Sequence, residues 1–116
     1  MYQAIRISPM IPSYNVLETV LFFQDLLGFS TVMHTGTYAI LQKNNHTIHI
    51  LPAGDIGEME FYLEVDDVDQ VWASIKDKLD DVQHKAPFNR DYGMREIHLV
   101  IPHTKTLLFI GQVLGN

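Results

Sequence analysis

Two stretches of this chain carry the same pattern at a fixed offset. Asn15-Val16-Leu17-Glu18 opens a helix with apolar positions at Val16, Val20, Phe23 and Leu27. Asp67-Val68-Asp69-Gln70 opens another at Val68, Trp72, Ile75 and Leu79, each number 52 higher than its counterpart. The spacing i, i+4, i+7, i+11 is one face of an α-helix. Each start offers an Asx N-cap with Glu or Gln three residues on. A strand-like run precedes each helix and others follow it. Such a repeat predicts two copies of a strand–helix–strands unit.

Alternation and turn residues extend the pattern to βαβββ, twice. Strands are expected over 2–8, 29–33, 37–42 and 46–51, then over 60–65, 82–85, 94–101 and 106–112, with helices over about 15–27 and 67–79. Pro9, Pro12 and Ser13 read as a loop, Gly28 as a helix C′ residue, Lys43-Asn44-Asn45 as a turn, and residues 86–93 as a polar loop. Pro52-Ala53-Gly54-Asp55-Ile56-Gly57 is linker-like. It divides a first module, 1–57, from a second, 58–116, within one compact domain of class α+β whose curved mixed sheets flank a cleft.

Alternation also assigns faces. Ile5 and Ile7; Ile48 and Ile50; Phe61, Leu63 and Val65; Ile97 and Leu99; and Leu107 and Phe109 are expected under the helices. The opposite set faces the cleft: Arg6 and Ser8; Thr47, His49 and Leu51; Glu60, Tyr62 and Glu64; Glu96 and His98; and Thr106, Leu108 and Ile110. Tyr14, Tyr38, Tyr62, Phe88 and Tyr92 are candidates for an aromatic lining. Trp72 belongs to the core stripe. The acids Glu64, Asp66, Asp67 and Asp69 suit the second helix N-terminus.

Composition closes off several chemistries. There is no cysteine, which removes disulfides, thiolate metal sites and cysteine nucleophiles and fits a cytoplasmic protein. A net charge of −6 with scattered Lys and Arg argues against nucleic acid. No apolar run approaches ~20 residues, so no membrane partner is expected. The N-terminal residues lack the apolar stretch of a secretory leader. The serines lack a nucleophile elbow, and the glycines form no phosphate loop.

Leu21-Phe22-Phe23-Gln24-Asp25-Leu26-Leu27-Gly28-Phe29, at the first helix end, resembles the FY…LGF pattern of the vicinal oxygen chelate superfamily, with Phe23 where Tyr is usual. Tyr92-Gly93-Met94-Arg95-Glu96-Ile97-His98 resembles the WG.REF segment of its bleomycin-resistance branch, and Leu107-Leu108-Phe109-Ile110-Gly111-Gln112 its last strand. The resemblance implies four metal-ligand positions, which here read Ser8, His49, Glu60 and Leu108. A hydroxyl is a poor ligand and an isobutyl group none, so no metal and no cofactor is expected. The usual DPDG turn reads Ile101-Pro102-His103-Thr104.

His49 and Glu60 read either as half of a divalent-metal site, completed by His98 and Glu96, or as paired side chains lining a polar pocket. The resemblance therefore implies a non-catalytic protein that sequesters a small molecule, an antibiotic-resistance function, and a homodimer whose clefts are each built by two chains. His49, Glu60, Tyr62, Glu96, His98, Leu108, Tyr38 and Arg6 are the expected ligand-binding residues. The acidic lining favours a cationic or hydrogen-bond-donating ligand. The alternative is a metal-dependent lyase, isomerase or dioxygenase.

Overall fold

Asn15 and Asp67 start their helices in nearly identical conformations. Their φ/ψ are −151°/92° and −149°/95°, and each side chain accepts the backbone N–H three residues on, from Glu18 and Gln70. The computed structural model describes residue 3, residues 5–54 and residues 58–115. The expected strand residues Tyr2 and Ala4 and the linker residues Asp55, Ile56 and Gly57 lie outside the described residues.

The elements run β1 (Met10–Ser13), α1 (Val16–Asp25), β2 (Ser30–His34), β3 (Ala39–Lys43), β4 (His46–Pro52), β5 (Met59–Glu64), α2 (Val68–Ile75), a 3-10 turn (Lys76–Lys78), β6 (His84–Asn89), β7 (Met94–Val100) and β8 (Thr106–Val113). The fold class is α+β, with βαβββ occurring twice. The first sheet has the order β1-β4-β3-β2 and the second β5-β8-β7-β6. In each, the first strand lies parallel to the last and the other pairs are antiparallel. Both sheets are open. Among the described residues no helix is long and apolar enough to cross a membrane.

The helix stripes bury as their spacing predicts. Val16, Val20, Phe23, Val68, Ile75 and Leu79 are buried, while Leu27 and Trp72 are partly buried against the same core. Phe23 meets Phe22 and Phe29 edge-on, with ring centroids 5.3 Å away in both cases. Exposed caps such as Asp67 are worth about 1 kcal/mol. Asp67→Ala should therefore lower the thermal midpoint by a few degrees without altering the far-ultraviolet spectrum of the folded state.

Turn chemistry sets the register between strands. Asn44 and Asn45 hold φ of 49° and 72° between the paired residues Lys43 and His46. Positive φ at both central residues is the type I′ geometry whose twist matches an antiparallel hairpin, and Asn tolerates it better than most residues.

Three expectations are corrected. The first strand does not occupy 2–8. It begins at Met10, Ile11 takes the core position, and Ile5 and Ile7 are 86% and 94% exposed. Pro9 and Pro12 misled the reading because β1 is an edge strand. The carbonyls of Pro9 and Ser13 accept from His49 and Ala53 of the β4 segment. Alternate residues bond to a parallel partner, so the Pro12 nitrogen faces outward, where no N–H is needed. Residues 86–89 continue β6 instead of forming a loop.

The faces of β8 are also reversed. Ile97 pairs with Ile110 and Leu99 with Leu108, so Leu108 and Ile110 are buried in the core, and Leu107 and Phe109 lie on the opposite face. A register one residue away would have given the expected assignment, and the β7–β8 loop length decides between them.

That loop also ties the halves together. The N–H of Tyr14 donates to the His103 carbonyl at 2.6 Å, and the Thr19 hydroxyl donates to the Pro102 carbonyl at 2.8 Å. His103 itself holds a φ of 62°.

Candidate functional site

The core-averse face of the second sheet collects the chemistry. The register aligns Tyr62 with Phe109 and His98, and in the next row Glu64, Gly111, Glu96 and Phe88. Residues abreast in a sheet share a face, so one carboxylate lies among several rings. The Phe109 ring packs against Tyr62 at 6.0 Å and His98 at 4.2 Å, and His98 meets Phe88 at 5.0 Å.

Glu96 is fully buried, although Tyr62 and Tyr92 above it are 42% and 49% exposed. Its Oε2 accepts the Tyr62 hydroxyl at 2.9 Å and the Tyr92 hydroxyl at 2.5 Å. Its Oε1 accepts His98 Nε2–H at 2.8 Å and Arg90 Nη1–H at 3.3 Å. An ionised carboxylate only accepts, so His98 must carry its proton on Nε2. Four donors saturate the buried charge, as the cost of desolvating it requires.

Burial alone would raise the Glu96 pKa. Hydrogen bonds from Tyr92, His98 and Tyr62, with the charge on His98, outweigh burial and hold the carboxyl below its ordinary value. The phenols move the other way. Burial, then the Glu96 hydrogen bond and charge, push Tyr62 well above its usual value, and Tyr92 is raised too, chiefly by its hydrogen bond to Glu96. A depressed folded-state pKa gives stability that is fully present above the unfolded-state value, near 4.3, and lost as pH falls through the folded value. Stability should therefore decline below about pH 4.3, and Glu96→Gln should flatten that part of the pH profile in chemical unfolding.

Gly111 makes the arrangement fit. A β-carbon there would stand 1.8 Å from the Tyr62 hydroxyl oxygen and 2.6 Å from the ring carbon bearing it. The missing side chain lets Tyr62 lie across β8 and reach Glu96 on the next strand.

The remaining expected residues go elsewhere. On the first sheet, the Tyr38 hydroxyl lies 2.6 Å from His49 Nδ1, with the rings edge-on at 5.7 Å. Among the described residues no hydrogen bond, ring contact or ion pair links this pair to the Glu96 group. Arg6 and Glu60 are exposed. Leu108, expected on the cleft floor, is buried in the core instead. Arg95, next to Glu96, pairs with Asp69 at 3.0 Å and donates to Asn89. A cavity of about 580 Å³ lies between the end of α1 and the start of α2, lined by Leu27, Phe29, Leu63, Asp67, Val71 and Ile75 among others. None of the eight expected residues lines it.

The four positions singled out for a metal are placed as follows. Leu108 has no donor and points into the core, Ser8 is hydrogen-bonded to Thr47, and His49 engages Tyr38 from the other sheet to Glu60. Both oxygens of Glu96 are taken by protein donors. No group of three or more His, Cys, Asp or Glu able to hold a metal occurs among the described residues.

Arg90, Phe109 and Gly111 were missed. Phe109 was lost with the β8 register. An isolated glycine inside a strand pattern is a known mark of close approach, and Phe109-Ile110-Gly111 carried it. Nothing in the sequence placed Arg90 over Glu96.

No family model and no curated protein matches the sequence. Solved structures do match in three dimensions. The bleomycin-binding protein of Streptomyces verticillus, complexed with copper(II)-bleomycin, superposes with a TM-score of 0.76 at 19% identity over 100% of both chains. The bleomycin resistance determinant encoded on transposon Tn5 gives 0.78 at 22% identity over 95% of this chain and 98% of that one. Lactoylglutathione lyase from Agrobacterium tumefaciens gives 0.77 at 12% identity over 96% of each. At these identities the likeness is one of architecture. This chain has the vicinal oxygen chelate fold, shared with bleomycin-binding and glyoxalase-type proteins.

Proposed function

We propose that the protein binds a small organic molecule on the Glu96 face and does not transform it, as a member of the vicinal oxygen chelate superfamily on its bleomycin-resistance side. One observation carries this reading. A charged carboxylate with no solvent exposure sits on an otherwise accessible sheet face, beneath Tyr62, Phe88, Tyr92, His98 and Phe109. Packing alone does not call for such a charge, because a buried ion pair can often be replaced by apolar residues of similar volume without loss of stability. Rings around a fixed polar group are the usual composition of a small-molecule site.

The formal charge of −6 and the acidic centre favour a cationic or hydrogen-bond-donating ligand over a phosphonate. The fold neighbours that bind bleomycin support sequestration of an antibiotic, which this reading places in the cytoplasm. The reading includes a homodimer, in which the Tyr38–His49 face of a second copy covers the Glu96 face. The separation of the two groups within one chain supports it.

A thermal-shift panel of cationic antibiotics, bleomycin included, and divalent metals tests this. A ligand at 100 times its dissociation constant should add about 2.7 kcal/mol of stability. It should also shift the NMR signals of Tyr62, His98 and Phe109. Stabilisation by metals alone, or a stoichiometric metal in the purified protein, would replace this reading with that of a metal-dependent enzyme.

A further inference from the structure

We propose that Arg90 is a resident occupant of a cation site and that the site takes a planar amidinium or guanidinium ligand, which displaces it. The inference rests on the Glu96 face being the binding face.

Arg90 follows β6 on the loop to β7. Its backbone is fixed: its N–H donates to the Met94 carbonyl at 2.7 Å, and its own carbonyl accepts from Gly93 at 3.3 Å. Its side chain is 33% exposed. The guanidinium carbon lies 5.3 Å from the Phe88 ring centroid and 4.9 Å from that of Tyr92. A flat cation is therefore held against two rings with one edge toward a carboxylate, the arrangement that recognises guanidinium groups in ligands.

The hold is partial. Of five N–H donors, Arg90 uses Nη1 toward Glu96 Oε1, at 3.3 Å. Its 3.5 Å approach to His98 Nε2 is not a second bond, because that nitrogen donates its own proton to Glu96. Among the described residues no acceptor meets Nε or Nη2. The other three donors to Glu96 do not depend on Arg90, so the carboxylate stays fixed when the guanidinium leaves. Partly exposed ion pairs are weakly held. A competing planar cation finds the same two rings and the same oxygen already in place.

Flatness selects the ligand class. A tetrahedral ammonium meets a ring only as a point charge, whereas a planar cation can lie against both Phe88 and Tyr92 and still turn an N–H toward Glu96. Lys85 also holds its Nζ 4.4 Å from the Phe88 ring centroid, so that ring already carries a point charge.

The test compares benzamidinium binding to the wild type, Arg90→Ala, Arg90→Gln and Arg90→Ala with Glu96→Gln, by NMR titration at constant ionic strength. If Arg90 fills the site about nine-tenths of the time, removing it should tighten binding roughly tenfold. Adding Glu96→Gln should abolish the gain. In the wild type, saturating benzamidinium should shift the Arg90 Nε–H resonance, a reading that survives misfolding of any variant. Equal affinity in the wild type and both Arg90 variants, a gain untouched by Glu96→Gln, or an unmoved Arg90 signal would overturn the proposal. If the antibiotic panel shifts Tyr62 and Phe109 while benzamidinium does not, this proposal falls alone. If neither does, the binding face falls with it.

Discussion

Gly111→Val should destabilise the protein by about 3 kcal/mol, the sum of overpacking and a lost hydrogen bond to a charged acceptor. For a domain of this size that is a fall in thermal midpoint of roughly 10–20 °C. A β-carbon at 111 already overlaps the Tyr62 hydroxyl, and two further methyl groups fill the path to Glu96. The phenol must then swing out to solvent, leaving Glu96 one donor short. Because the collision is with a side chain, a double-mutant cycle identifies it. Tyr62→Ala combined with Gly111→Val should be little worse than Tyr62→Ala alone. Strictly additive losses would show that residue 111 acts through the backbone of β8 instead.

Phe23→Ala should cost more, about 3–5 kcal/mol. Phe23 is almost wholly buried, and its ring lies edge-on to both Phe22 and Phe29. The cavity left cannot close easily, since α1 is pinned by the Asn15 cap at one end. At the other end, the N–H groups of Gly28 and Phe29 donate to the Gln24 and Phe23 carbonyls. Phe23→Leu, which keeps most of the volume, should recover over half of the loss. Equilibrium unfolding in urea measures both, and an alanine variant within 1 kcal/mol of wild type would contradict the packing described.

The architecture was legible because its signals are local. A cap and a 3.6-residue stripe specify each helix without distant contacts, and both copies carry them; the first adds Gly28 after its last turn. The Asn44-Asn45 turn likewise dictates its hairpin. Edge position is not local: nothing near Pro12 says that its nitrogen faces away from β4, so the true first strand read as a loop and the exposed Ile5 and Ile7 read as core.

The site was half legible for a related reason. Glu96, His98 and Tyr62 could be placed on one face by alternation within their own strands. Leu108 and Phe109 depend on the register between two strands, where a slip of one residue exchanges core for surface. Arg90 depends on how a loop folds back.

Two of the four outermost strands, β2 and β6, share a departure from regular pairing. The register slips between Thr31 and Met33 in β2, and between Lys85 and Phe88 in β6. An irregular rim twists away from a flat template and cannot accept another chain's backbone over its length. The protein is therefore guarded against end-to-end fibril growth at both flanks. Of the two remaining rims, Met10–Ser13 carries Pro12, which offers no N–H to an added strand, so Met59–Glu64 is left as the place where further backbone can be added.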